Sequence, residues 1–407
     1  MDPRVSVGQK SPVPGSSILE DLAAFRCGDR PTLVEDRGGV PFFFNEFWTA
    51  HQRQAHALHE VSYRACFKPQ LPAFFIQRLT VPGEVVHDPF MGRGTTPIQA
   101  ALMGRNAIGS DVNPLSRLLA RPRLAPPPLE AVKTRLATID FSGWPAPADD
   151  DLLVFFHPGT LAEIRALRAY LLARQVSGRL DATDDWIRMV ALGRLTGHSP
   201  GFFSVYSLPP NQAASLTAQR RINQQRDQRP PRRSVPELIL RKSQALLRQG
   251  TPPPGAQGRF LAAPADATLD IAPASVDLVV TSPPFLDVID YAADNWLRAW
   301  FAGLDADLAP TAHLHRLKDW SCFIGKVFAE LGRIVRPGGH VAFEVGEVRA
   351  GQLALETLVL AALTGLPFES VCVVVNAQAF TKTANCWGVG NNAKGTNSNR
   401  IVLARRV

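Results

Sequence analysis

The pattern of apolar and polar positions sharpens at Glu84. Glu84-Val85-Val86-His87 reads as a short apolar strand, and Asp88-Pro89-Phe90-Met91-Gly92-Arg93-Gly94-Thr95-Thr96 as a glycine-bearing loop. A helix is expected at once, with Thr96 as N-cap, Pro97 at the first helical position and Gln99 completing a capping-box spacing. Ile98, Ala101 and Leu102 supply its apolar face. Asn106 to Asp111 then reads as a second strand ending in an acid, so residues 84–111 form a β-α-β unit of the nucleotide-binding kind. Past Pro122 the pattern changes. Pro126-Pro127-Pro128 punctuates the chain, helical periodicity covers about 159–175 and 184–196, and a segment rich in Arg, Gln and Pro follows. Strand-like runs resume at Val276–Val280, Gly339–Val345, Val371–Val375 and Ile401–Ala404, with helical patterns at about 290–303 and 320–335.

This order predicts an α/β, Rossmann-like chain with a mostly parallel central sheet and a helical inserted region. Four segments follow. Residues 1–58 read as a polar, irregular arm without chemistry of its own, docked through Phe42, Phe43, Phe44, Phe47 and Trp48. Residues 59–125 hold the first part of the α/β unit, 126–257 the basic helical insertion and 258–407 the second part.

Composition narrows the class. With 407 residues, 45% hydrophobic and 20% charged, the chain has the make-up of a globular protein, which excludes a disordered chain, a collagen-like repeat and a disulfide-stapled miniprotein. Its five cysteines (Cys27, Cys66, Cys322, Cys372 and Cys386) lie far apart with no C-x-x-C pair, and are expected as free thiols in or near the core. Residues 1–15 lack the apolar region of a secretory signal, and the longest apolar candidate, Leu353–Thr364, is interrupted by Glu356. A cytoplasmic protein without a membrane role is expected. Lys and Arg outnumber Asp and Glu by 44 to 36, a formal charge of +8, which favours an anionic partner such as nucleic acid.

Two constellations carry candidate chemistry. In the first, a strand-to-helix turn exposes backbone N–H groups, and Gly92 and Gly94 let a ligand approach the main chain. Asp88 suits a cationic amino group, Phe90 an adenine or sugar face, and Asp111, 17 residues after Gly94, the hydroxyls of a ribose. In the second, the apolar strand Val276-Asp277-Leu278-Val279-Val280 runs into Thr281-Ser282-Pro283-Pro284-Phe285. A hydroxyl, a carbonyl held rigid by proline and an aromatic plate are the groups needed to grip a flat base with an exocyclic amine.

Taken together, these segments resemble motifs I and IV of the S-adenosylmethionine-dependent DNA amino-methyltransferases. Phe67-Lys68-Pro69-Gln70-Leu71-Pro72 is similar to that family's motif X, which packs on the methionine end of the cofactor. The resemblance implies cofactor contacts from Lys68, Pro69, Asp88, Phe90, Gly92, Gly94, Thr95 and Asp111, and from Asp266 at the adenine-contacting position. It implies a Rossmann-like methyltransferase fold, with Ser282, Pro283, Pro284 and Phe285 as the catalytic turn. Motif I precedes motif IV by about 190 residues, which resembles the permutation with target recognition between them. Ser at the first position of motif IV points, in that family, to cytosine N4 instead of adenine N6. Phe285 stands where Tyr is common, and Arg93 where a small residue is common.

The resemblance therefore implies direct methyl transfer to cytosine N4 in double-stranded DNA, on a base flipped out and stacked on Phe285, without a metal. N6-adenine methylation, RNA amino-methylation and a catalytically inactive DNA-binding protein remain alternatives. Cytosine C5 chemistry needs a nucleophilic cysteine, usually after a proline, and no cysteine here follows one. In the insertion, Arg220, Arg221, Arg226, Arg229, Arg232 and Arg233 oppose one acid, which suits either phosphate neutralisation or a solvated linker. The aromatics of Gly201–Gln212 suit either a core or a base-stacking surface. Residues 387–400 suit either a loop near the target base or an exposed turn. His87, His157 and His198 show no ligand spacing. A cognate restriction endonuclease fits such an enzyme, whereas the oligomeric state stays open.

Overall fold

The structure is a computed structural model and describes residues 17–48, 55–63, 66–208, 212–284, 291–304, 316–346, 354–377 and 398–407. The chain begins with α1 (Ile18–Ala24), closed by a capping box between Ser17 and Glu20. A small hairpin, β1 (Arg26–Cys27) and β2 (Arg30–Pro31), leads into β3 (Leu33–Arg37) and β4 (Val40–Asn45). Then come α2 (Gln70–Leu79), β5 (Val85–Asp88), α3 (Thr95–Leu102), β6 (Asn106–Asp111) and α4 (Pro114–Ala120). The insertion contributes α5 (Leu129–Ala137), α6 (Pro158–Val176), α7 (Ala182–Leu192), α8 (Leu216–Gln225) and α9 (Val235–Leu247). The chain returns through β7 (Gly258–Ala262), β8 (Val276–Thr281), α10 (Tyr291–Ala302), α11 (Leu317–Ile334) and β9 (Val335–Gly346). It ends with α12 (Leu355–Ala362), β10 (Phe368–Ala377) and β11 (Ser398–Arg406).

Among the described residues, nine strands form one sheet in the order β3-β4-β10-β11-β9-β8-β5-β6-β7. From β9 to β7 every pairing is parallel, as crossover helices require, while β11 runs antiparallel to both neighbours. This is a Rossmann-like α/β fold with a mostly parallel sheet and a helical inserted region. The strand order reverses at β5: the chain moves outward through β6 and β7, then returns to the other side of β5 as β8. In open α/β sheets, ligands bind at the carboxyl ends of the strands beside such a switch.

Alternate residues of the central strands feed two different cores. Val402 and Ala404 pack with α11 and α12, whereas Ile401 and Leu403 pack with α2 and the aromatic residues near the amino terminus. The insertion is no detached lobe. Trp186, Phe155, Phe203 and Ile239 share one core with Ile98 of α3, Leu119 of α4 and Leu297 of α10.

Several sequence expectations need correction. The arm is not irregular: Phe42, Phe43 and Phe44 lie in β4, which pairs in parallel with β10 and widens the sheet. Thr96 does not cap α3, because Gly94 occupies the N-cap with no side-chain cap. The Thr96 hydroxyl donates instead to the Val280 carbonyl at 2.9 Å, and Gln99 meets His59 at 3.0 Å. Burial against β8 outweighs the local capping pattern. Cys322 is exposed, not in the core, whereas burial pushes the Cys372 thiol up to about 12. Cys386 lies outside the described residues.

Candidate functional site

The carboxyl ends of β5 and β8 meet at the switch point. There the Thr281 hydroxyl donates to Asp88 Oδ1 at 2.6 Å, and the Phe90 N–H donates to the same oxygen at 3.1 Å. Burial pushes the Asp88 carboxyl up to about 7, against these bonds. Among the described residues this buried carboxyl group is held by neutral donors without a cationic partner, and that chemistry fits an ammonium group.

The glycine loop is laced to the end of β6. Gly92 N–H donates to Asp111 Oδ2 at 2.8 Å, and Asn113 N–H donates to Oδ1 at 2.8 Å. With the Ser116 hydroxyl as a third donor, the carboxylate still has acceptor capacity left, so a ribose hydroxyl fits. Gly94 has φ of 81°, and a Cβ there would lie 2.7 Å from Ala120 Cβ, so both its conformation and its contact with α4 require glycine. Thr95 is buried, its hydroxyl accepting from Arg93 Nε at 3.3 Å.

Lys68 and Pro69 lead into α2, with Pro69 as its N-cap. Lys68 lies near Arg93 and Cys66; burial lowers its pKa and the charge of Arg93 lowers it further. A Cβ on Gly92 would sit 3.5 Å from Tyr63 and 4.0 Å from the Cys66 sulfur, so these two side chains wall the loop. Two buried arginines hold the segment that leads into Tyr63. Arg93 Nη1 donates to the Val61 carbonyl at 2.9 Å; Arg123 donates to the carbonyls of Leu58 at 3.0 Å, Leu119 at 2.9 Å and Arg93. Burial, with Arg93 alongside, pushes Arg123 down to about 9.

At the Ser-Pro-Pro turn, the Ser282 hydroxyl bonds to the Glu344 carboxylate on β9, which also accepts from Asn399 Nδ2 at 3.0 Å. Burial raises the Glu344 pKa. Pro283 is buried, and the Pro284 carbonyl accepts from the Trp320 indole at 3.1 Å. Phe285 lies outside the described residues. Asp266 is half-buried on the loop after β7, where the Ala263 N–H donates to the Asp111 carbonyl at 3.2 Å. Phe90 packs edge-on against Phe323, with ring centroids 5.9 Å apart.

The structure thus brings Lys68, Pro69, Asp88, Phe90, Gly92, Gly94, Thr95, Asp111 and Ser282 to one sheet edge. Sequence reasoning missed Tyr63, Arg123, Trp320, Phe323 and Glu344, whose partners come from distant segments without a local signature. Among the described residues no cluster of three or more His, Cys, Asp or Glu is placed to hold a metal ion. His87 is buried with Nδ1 beside the Ile108 carbonyl at 3.2 Å, and burial pushes it down to about 4.

The six arginines of the insertion do not form one free basic strip. Arg220 pairs with Asp151 at 2.5 Å, Arg232 with Glu163, and Arg226 lies 3.9 Å over the Tyr206 ring. The Arg233 backbone is tied to Thr160, its N–H donating at 2.7 Å. Arg221 and Arg229 are exposed, with no carboxylate partner among the described residues. Phe202 and Phe203 are buried and belong to the core. Residues 378–397, which hold most of the expected polar loop, lie outside the described residues.

Residues 40–117 match a family model described as DNA methylase. The chain is 40% identical over 72 residues to the type II methyltransferase M.MjaII of Methanocaldococcus jannaschii, covering 18% of this chain and 13% of that protein. It is 29% identical over 83 residues to the type II methyltransferase M.MvaI of Kocuria varians, covering 20% and 18%. The chain therefore spans less than a fifth of these curated relatives. Among solved structures, TrmN from Thermus thermophilus aligns over 84% of this chain and 50% of its own, at 14% identity and a TM-score of 0.34.

Proposed function

We propose that this protein is an S-adenosylmethionine-dependent DNA methyltransferase of the N4/N6 amino type, acting on cytosine N4. The observation that carries the reading is the Thr281 to Asp88 bond at the switch point, which sets the Ser282-Pro283-Pro284 turn beside the glycine loop. The DNA methylase match over residues 40–117 supports it, since that segment includes the loop and Asp111.

Asp88 holds the ammonium of the cofactor, Lys68 its carboxylate end, and Asp111 the ribose hydroxyls. Phe90 and Asp266 flank the adenine, while Gly92, Gly94 and Thr95 shape the loop. When bound, the cofactor supplies an electrophilic methyl group on a sulfonium. The amine of a flipped cytosine is a poor nucleophile because its lone pair is delocalised into the ring. Ser282 Oγ and the Pro283 carbonyl accept its N–H groups and favour a pyramidal nitrogen with the lone pair exposed. Because the Ser282 hydroxyl donates to Glu344, its oxygen lone pairs remain available to the amine. Positioning and preorganised dipoles supply most of the acceleration. Double-stranded DNA is the partner, with Arg221 and Arg229 as its exposed contacts and a cognate restriction endonuclease as the associated activity. No helix among the described residues is long and apolar enough to cross a membrane, and a cytoplasmic location suits a DNA substrate.

The test is incubation with unmethylated genomic DNA and methyl-labelled cofactor, digestion to nucleosides and mass spectrometry. N4-methylcytosine is expected. N6-methyladenine would overturn the base assignment, and transfer to RNA alone would overturn the substrate.

A further inference from the structure

The two prolines of the catalytic turn have no backbone N–H, so Pro283 and Pro284 cannot lace the turn to itself as the glycine loop is laced. Its carbonyls must be oriented from outside. On α11, Trp320 and Phe323 stand three residues apart, on neighbouring positions of one helix face. Trp320 is fully buried yet carries a polar N–H, and it spends that donor on the Pro284 carbonyl at 3.1 Å. Phe323, about one turn on, meets the Phe90 ring of the cofactor loop at 5.9 Å and an interplanar angle of 61°.

We propose that Trp320 and Phe323 are positioning residues for methyl transfer. Trp320 fixes the Pro284 carbonyl so that the carbonyl of Pro283 faces the target amine. Phe323 sets the cofactor loop at a fixed distance from that turn. One helix thereby holds both substrates in register, an arrangement that rests on the methyltransferase reading above.

The test compares the full-length wild-type protein with Trp320→Phe and Phe323→Leu. Trp320→Phe removes the donor and keeps an aromatic ring. It is expected to lower kcat about tenfold at saturating cofactor and DNA. Cofactor Kd by calorimetry and emission from 2-aminopurine at the flipped position should stay within about twofold of wild type. Phe323→Leu is expected to raise cofactor Kd about threefold and, because the loop loses its fixed distance from the turn, to lower saturated kcat about threefold as well, with Tm near wild type. Benzothienylalanine at position 320, which exchanges the N–H for sulfur in the same shape, repeats the first experiment if the Phe variant does not fold. Wild-type kcat in the variants at position 320 would overturn the inference, as would a parallel fall in kcat, cofactor affinity and Tm. A wild-type protein that labels no nucleic acid would overturn the function itself and this inference with it.

Discussion

The glycine loop and the proline turn sit side by side at the switch point, yet they are held by opposite means. The loop is rich in N–H groups and is organised from within: Gly92 and Asn113 donate to Asp111, and Gly94 N–H donates to the Met91 carbonyl at 2.6 Å. The turn has lost two N–H groups to proline and is organised by side chains from α11 and β9, through Trp320 and Glu344. A loop that must wrap a ligand with its own backbone is built from permissive residues. A turn that must present fixed acceptors is built from rigid ones and braced by its surroundings.

Removing the hydroxyl proposed to accept the target amine should give the largest effect. Ser282→Ala is expected to lower kcat by about 10²- to 10³-fold while cofactor Kd, read by calorimetry, stays near wild type. Undiminished transfer would break the contrast at the turn. On the loop side, Asp88→Asn is expected to weaken cofactor binding about a hundredfold by removing the carboxylate offered to the ammonium.

The raised Asp88 pKa sharpens the same contrast with pH. In the folded, cofactor-free protein the group binds its proton more tightly than in the unfolded chain. Stability should therefore fall as pH rises from the ordinary carboxylate range to about 7, and the penalty is fully present above that. Cofactor affinity should rise through about pH 7 as the carboxylate forms. Thermal unfolding and calorimetry across pH 5–8 check both trends, which Asp88→Asn should flatten.

Gly94→Ala should lower Tm by several degrees, since φ of 81° and the Ala120 contact both oppose a Cβ. The smallest effects belong to the insertion. Arg221→Ala and Arg229→Ala should each weaken DNA binding about three- to tenfold and reduce the salt slope by about one. Arg220→Ala and Arg232→Ala, whose charges are already paired, should do less.

What the sequence revealed was local. Strand, loop, helix and strand across residues 84–111 are specified by neighbours within a few positions, so β5 and β6 were legible along with Asp88 and Asp111. The Ser-Pro-Pro turn was legible because proline writes its geometry into the chain. By contrast, β4 depends on pairing with β10, and Phe42 to Phe44 alone resemble a docking cluster as much as a strand. Thr96 carried a capping signal that its bond to the Val280 carbonyl overrode. The bracing of the site by Arg123, Trp320 and Glu344 joins segments with no shared local pattern, and periodicity has no means of recording it.

The pairing of β4 with β10 also bears on how the molecule is made. Trp48 and Asn376, which exchange hydrogen bonds beside these strands, are 328 residues apart in sequence. Contacts of such separation form late and slowly, after much of the chain has left the ribosome. Until β10 arrives, the phenylalanines of β4 present an apolar strand edge that invites association between nascent chains. Synthesis of this protein therefore carries an interval of vulnerability at its amino-terminal end, closed only when the carboxyl-terminal strands are delivered.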